Sequence, residues 1–164
     1  MKRSSGTETH RKTPTTTRAA IAISVCLIMV GTTQLVEAQG RGVRAGVSGD
    51  PDQFYVGVHG EVGPVVESVL FRPNLELGIG DDRTLIGANI EFAYRMPLSN
   101  SPWRLYAGGG PALNIVRRRG DTDAGGGLNV MVGVDHTDGF FTELKVGVID
   151  SPSVKFGVGY TFRP

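Results

Sequence analysis

The feature that most constrains this chain is a two-residue alternation at its C-terminal end. Over residues 153–163, Val154, Phe156, Val158, Tyr160 and Phe162 fall on one side, and Lys155, Gly157, Gly159, Thr161 and Arg163 on the other. Side chains of a strand point to alternate faces, so this stretch is a strand with one apolar face and one polar or small face. At about 10 residues it is long enough to cross a bilayer core at a tilt. The same period recurs upstream, whereas no segment after Gln39 repeats with helical spacing and no apolar run there reaches transmembrane-helix length.

Eight strands are predicted. The first seven span about 42–48, 53–62, 69–79, 84–96, 103–116, 124–136 and 140–149, and the eighth is the C-terminal one. Turn-forming residues separate them, including Gly49-Asp50-Pro51-Asp52, Gly63-Pro64, Gly80-Asp81-Asp82-Arg83 and Thr137-Asp138-Gly139. Pro73 inside the third strand marks an edge or a bulge, because proline cannot donate to the ladder. Gly108-Gly109-Gly110 leaves the middle of the fifth strand ambiguous, and Arg117 to Asp123 reads as the longest loop.

The N-terminus has a different character. Lys2, Arg3, Arg11, Lys12 and Arg18 precede an apolar run from Ala19 to Gly31, and Val36-Glu37-Ala38 supplies the small residues of a cleavage site. The domain expectation is therefore a signal peptide over 1–38 and one barrel domain over 39–164. The formal charge of the whole chain is +1; removal of the leader leaves twelve Lys and Arg against fourteen Asp and Glu. That balance argues against nucleic acid as a partner. Cys26 lies in the apolar run behind Val25, which is too large for a lipoprotein site, so the exported chain is expected to lack cysteine.

Alternation alone does not separate a membrane barrel from a soluble sheet. The composition of the faces does. Arg44, Glu61, Arg72, Glu76, Glu91, Arg95, Arg104, Glu143, Lys145, Lys155 and Arg163 share one face with many glycines, while the other face is Val, Leu, Ile, Phe and Ala. An eight-stranded interior has room for the small and polar set but not for the bulk of the apolar one, so the polar face belongs inside. With the N-terminus in the periplasm, Phe71, Trp103 and Phe140 open strands at the periplasmic rim, and Phe92, Tyr94, Tyr160 and Phe162 close strands there. That is the expected place for an aromatic girdle. The longest loop then falls outside.

The final strand, with aromatics at Tyr160 and Phe162, resembles the C-terminal signal of Gram-negative outer-membrane barrels, although Arg163-Pro164 follows where that signal normally ends. Over its whole mature length the chain resembles the small eight-stranded barrels of the OmpA membrane-domain and OmpX type. The resemblance implies an all-β, antiparallel up-and-down transmembrane barrel in the cell outer membrane. It also implies outer-membrane lipids as surroundings, recognition of the last strand by the barrel-assembly machinery, and a monomer.

Candidate chemistry is sparse. His59 and His136 are the histidines beyond the leader; His136-Thr137-Asp138 lacks the serine of a His-x-Ser pair, and His59 with Glu61 reads as a solvated pair. No nucleophile and orienting base can be assembled, so no enzyme activity, catalytic residue, cofactor or metal site is expected. Glu61, Glu76, Glu91, Arg95, Arg104, Glu143 and Lys145 are expected to form a lumen ion-pair network, with Arg95 or Arg104 as partner of Glu91. Mixed signs in so narrow a bore favour a plug over a channel. Arg117, Arg118 and Arg119 form the basic run of the mature chain and are candidates for lipid phosphate contact. Arg119-Gly120-Asp121 spells an adhesion tripeptide that three residues match easily by chance. Asp50, Asp52, Asp81, Asp82, Asp121, Asp123 and Asp150 map to the external rim, without the close spacing of a calcium loop. The expected function is a structural or surface-interaction protein of the outer membrane; the alternatives are an exported soluble barrel around a small apolar ligand, or a narrow pore.

Overall fold

The computed structural model describes residues 38–164 apart from Pro51, Asp82, Gly120 and Asp150. The expected signal segment up to Glu37, Cys26 included, lies outside the described residues. Eight strands follow one another: β1 (Ala38–Gly49), β2 (Gln53–Val66), β3 (Val69–Gly80), β4 (Arg83–Pro97), β5 (Trp103–Arg118), β6 (Asp121–His136), β7 (Phe140–Ile149) and β8 (Val154–Phe162). Each pairs antiparallel with its neighbours and β8 closes on β1, with Arg44 opposite Gly57 on one side and Gly159 on the other. Closure satisfies every strand edge except where one strand outruns the next. The longest such overhang is at β6, which pairs with β5 along its full length but with β7 only from Leu128 onward; shorter ones occur where β2 runs past β1 and β4 past β3.

The faces divide as their chemistry demands. Among the described residues, thirty large apolar side chains are exposed and only eight apolar ones are buried. That is the reverse of a soluble domain, which rarely exposes a continuous apolar patch of more than a few hundred Å². On β4 the switch occurs between neighbours: Glu91 is 0% exposed and Phe92 45%.

Three local expectations change. Pro73 sits inside a continuous β3, paired with Ile90 of β4, and it is the ladder to β2 that lapses between His59–Asn74 and Val62–Phe71. The missing donor is absorbed by that gap. The three glycines of β5 continue the strand, and Gly108 lies so close to the Phe92 carbonyl of β4 that a Cβ there would collide with it. Arg117 to Asp123 is not the longest loop: both flanks are strand, and residues 119–120 alone make the connection. Among the described residues the longest connection is 98–102, at the terminal rim, where β1 begins and β8 ends. At the opposite rim the connections span two to four residues.

The aromatic collar is also less one-sided than the sequence suggests. Phe71 and Phe92 meet at 5.4 Å, Trp103 and Phe140 at 6.4 Å, and Tyr160 and Phe162 at 5.0 Å, all at the terminal rim. Phe54 and Phe156, however, flank Val47 near the opposite end of β1 and are more than half exposed.

Candidate functional site

The lumen is built from the inward residues of all eight strands, and its charges fall into two clusters. In the middle, three carboxylates meet four cations. Lys145 Nζ donates to Glu91 at 2.6 Å and to Glu76 at 2.9 Å, and Lys155 Nζ donates to Glu76 at 2.7 Å. Arg44 Nη1 donates to Glu143 at 2.9 Å and to Glu76 at 3.3 Å. Arg72 lies 3.7 Å from Glu143 and 3.6 Å from Glu61, which links this cluster to the second. Towards the terminal rim, Asp135 takes Arg104 at 2.8 Å and Arg95 beside it, and Glu61 takes Arg95 at 3.2 Å and Arg163 at 3.4 Å. Charges removed from water are tolerated only when paired and hydrogen-bonded this densely.

Aromatic rings hold the clusters in place. The Arg72 guanidinium carbon lies 4.9 Å from the Tyr106 ring centre and 5.0 Å from that of Phe141. The Tyr106 hydroxyl donates to Glu143 at 2.9 Å. Room for these rings comes from glycine on the adjacent strands: a methyl group at Gly133 would run into the Tyr106 ring, and one at Gly159 into Phe141. This is the physical use of the glycines on the polar face. A neutral amide relay lies beside the charges, with Asn89 donating to Asn74 at 2.7 Å and Asn129 donating to Asn89 at 3.0 Å.

All seven residues singled out from the sequence (Glu61, Glu76, Glu91, Arg95, Arg104, Glu143 and Lys145) point inward and take part in these pairs. The expected partner of Glu91 is wrong. Its cations are Lys145 and Arg44, from across the lumen, whereas Arg95 and Arg104 turn to Asp135. Arg95 is four positions along the same strand, too far for contact, and strand tilt brings β7 and β1 to Glu91 instead. Sequence reasoning left Asp135 out of the network, although its parity in the sixth strand already put it inside.

His59 is buried, not solvated. Its Nε2 lies 3.0 Å from Thr161 Oγ1, and its ring stands edge-on to Phe141 at 5.2 Å. His136 lies at the β6–β7 turn, 3.3 Å from Asp138 and under Trp103. Arg163 curls past the last aromatic residue and donates to the His136 and Thr137 carbonyls at 3.2 and 3.0 Å. The residue that departs from the usual C-terminal signal thus fastens β8 to the β6–β7 turn.

The three consecutive arginines do not act as one patch. Arg117 pairs with Thr84 and Thr122, in line with outward Ile115 and Ile86; Arg118 pairs with Arg83 and Asp121 on the inward side; Arg119 sits in the turn with positive φ. All three are exposed. Among the described residues no group of three or more His, Cys, Asp or Glu side chains is placed to hold a metal ion.

No protein-family model and no curated protein sequence matches the chain. Solved structures do. The Neisserial surface protein A (NspA) superposes with a TM-score of 0.60 at 13% identity, covering 76% of this chain and 95% of that one. The N-terminal β-barrel domain of Pseudomonas aeruginosa OprF gives 0.52 at 12% identity, covering 76% and 98%. At such identities the likeness speaks to fold.

Proposed function

The chain has the fold of the small eight-stranded outer-membrane β-barrels, and we propose that it works as one: a non-enzymatic barrel of the Gram-negative outer membrane, exported by a cleaved leader over 1–38, with its termini in the periplasm. The observation that carries this reading is the inverted distribution of faces, with charged pairs enclosed and an apolar belt turned outward. An exported soluble barrel around an apolar ligand requires an apolar lumen, and this lumen is filled by ion pairs. The same filling disfavours a conducting pore.

Within that frame the role is structural, with lipid contact as the surface interaction. Connections of two to four residues at the rim away from the termini offer little for an adhesion partner to grip. Arg117 on the outward side, with Arg118 and Arg119 next to it, suits the phosphates of outer-leaflet glycolipid. The last strand, with Tyr160 and Phe162, suits recognition by the barrel-assembly machinery, and the closed ladder suits a monomer.

Cell fractionation tests the whole. The protein should co-fractionate with outer membranes, require detergent for extraction, and run at a different gel mobility before and after heating. Recovery as a soluble periplasmic monomer ends the reading.

A further inference from the structure

Nearly every charged residue within a strand faces the lumen. Among the described strand residues, Arg41 and Arg117 are the ones whose place in the alternation turns a charge to the outer face, one near each rim. Arg41 is exposed, between buried Gly40 and Gly42, with Gly60 of β2 opposite it on one flank and Phe162 of β8 on the other. Gly60 presents no side chain, and the nearest side chain beyond it on that flank is the Pro73 ring of β3.

Directly along β1 from Arg41 the outer wall is concave. A groove of about 850 Å³ runs over Val43 and Ala45, between Val56 and Val58 on one side and Val158 on the other, with Tyr160 at its terminal end. Its cause is side-chain size: Ala45 is flanked by valines, while longer Leu75, Leu77 and Ile86 form the far bank. The groove is shallow and open along its length, shaped to lie against an extended chain and not to enclose a compact ligand. Arg41 stands one outward position beyond Val43, just past the groove's own lining, so a cation at the aromatic collar adjoins a largely apolar trough, and that pairing matches one chemistry: a phosphate headgroup with acyl chains attached.

We propose that this face holds a single glycerophospholipid of the inner leaflet, its phosphate on Arg41 and its acyl chains along Val43 and Ala45. The site rests on the membrane reading given above and goes beyond it, because an annular lipid shell has no preferred position whereas a trough with a cation at its mouth does. Arg41 sits at the rim that carries the termini, which the proposed orientation puts at the periplasmic leaflet, where glycerophospholipid is the phosphate-bearing lipid.

The test uses barrel folded in detergent, stripped of lipid and titrated with phosphatidylglycerol, with bound lipid counted by native mass spectrometry. One lipid per barrel should be retained at low lipid excess, and diacylglycerol, which lacks the phosphate, should not be. Ala45→Phe, which fills the trough, should abolish retention, and Arg41→Gln should weaken it about tenfold. Ala107→Phe, on the outer face of β5, should leave it unchanged. A statistical ladder of lipids indifferent to Ala45→Phe overturns the proposal, as does a dimer that Ala45→Phe disperses, since the trough would then belong to a second copy. A chain that stays soluble and monomeric without detergent overturns the membrane reading itself, and the lipid site with it.

Discussion

The inner and outer walls of this barrel are made by the same strands, yet opposite forces govern them. Inside, Glu76 takes three cations within 3.3 Å and is almost wholly enclosed. Outside, Ile86 and Val47 stand 48% and 55% exposed. The inner wall is held by electrostatic pairing in a medium that screens little, whereas the outer wall contributes stability only if a bilayer covers it. Substitutions one residue apart should therefore act through different forces, and that contrast is open to measurement.

The largest effect is expected inside. Glu76→Ala leaves Lys145, Lys155 and Arg44 short of a carboxylate, and loss of one partner from a buried network costs about 3–5 kcal/mol. Urea unfolding in lipid vesicles reads it directly. A loss below 1 kcal/mol would mean that water fills the lumen and screens the charges. Replacing Glu76 and Lys155 together by apolar residues of similar size should restore much of the loss.

On the outer wall, Ile90→Arg should cost about 2–4 kcal/mol, as a charge near the bilayer midplane does. Stability alone does not distinguish lipid from a protein core, so the sharper measurement is labelling. Single cysteines at Ile86, Ile90 and Phe92 with a lipid-quenchable probe should respond to brominated lipid, and cysteines at Asn89 and Glu91 should not. Equal quenching in both sets would erase the difference between the walls.

Smaller effects come from packing and fastening. Gly133→Leu pushes a side chain into the Tyr106 ring and should cost about 1–3 kcal/mol by overpacking; Ala124→Leu, on the open outer face of the same strand, should cost little. Removing the latch with Arg163→Ala should cost about 1–2 kcal/mol and show as faster exchange of the β6–β7 turn amides. Arg117→Gln should change stability by no more than about 0.5 kcal/mol, while weakening association with phosphorylated glycolipid vesicles; unchanged association would remove Arg117 from the surface contact.

The sequence by itself determined the periodic content of this protein. Alternation such as Ile86, Ala88, Ile90 and Phe92 against Gly87, Asn89 and Glu91 sets strand type, strand number and the membership of each face, because side-chain direction in a strand follows from position alone. Even Asp135 was legible by parity. What only the tertiary structure decided is who meets whom across the lumen. Tilt and closure brought Lys145 and Arg44 to Glu91, turned Arg95 and Arg104 to Asp135, and split Arg117 from Arg118 between outer and inner sides. They also turned the supposed long loop into two paired strand ends, and set Arg41, one of two outward strand cations among the described residues, one outward position beyond Val43 at the end of a groove. The reason is geometric. A one-dimensional pattern encodes the local direction of each side chain, whereas a contact between strands depends on the register accumulated around a closed, tilted sheet, which no single strand carries.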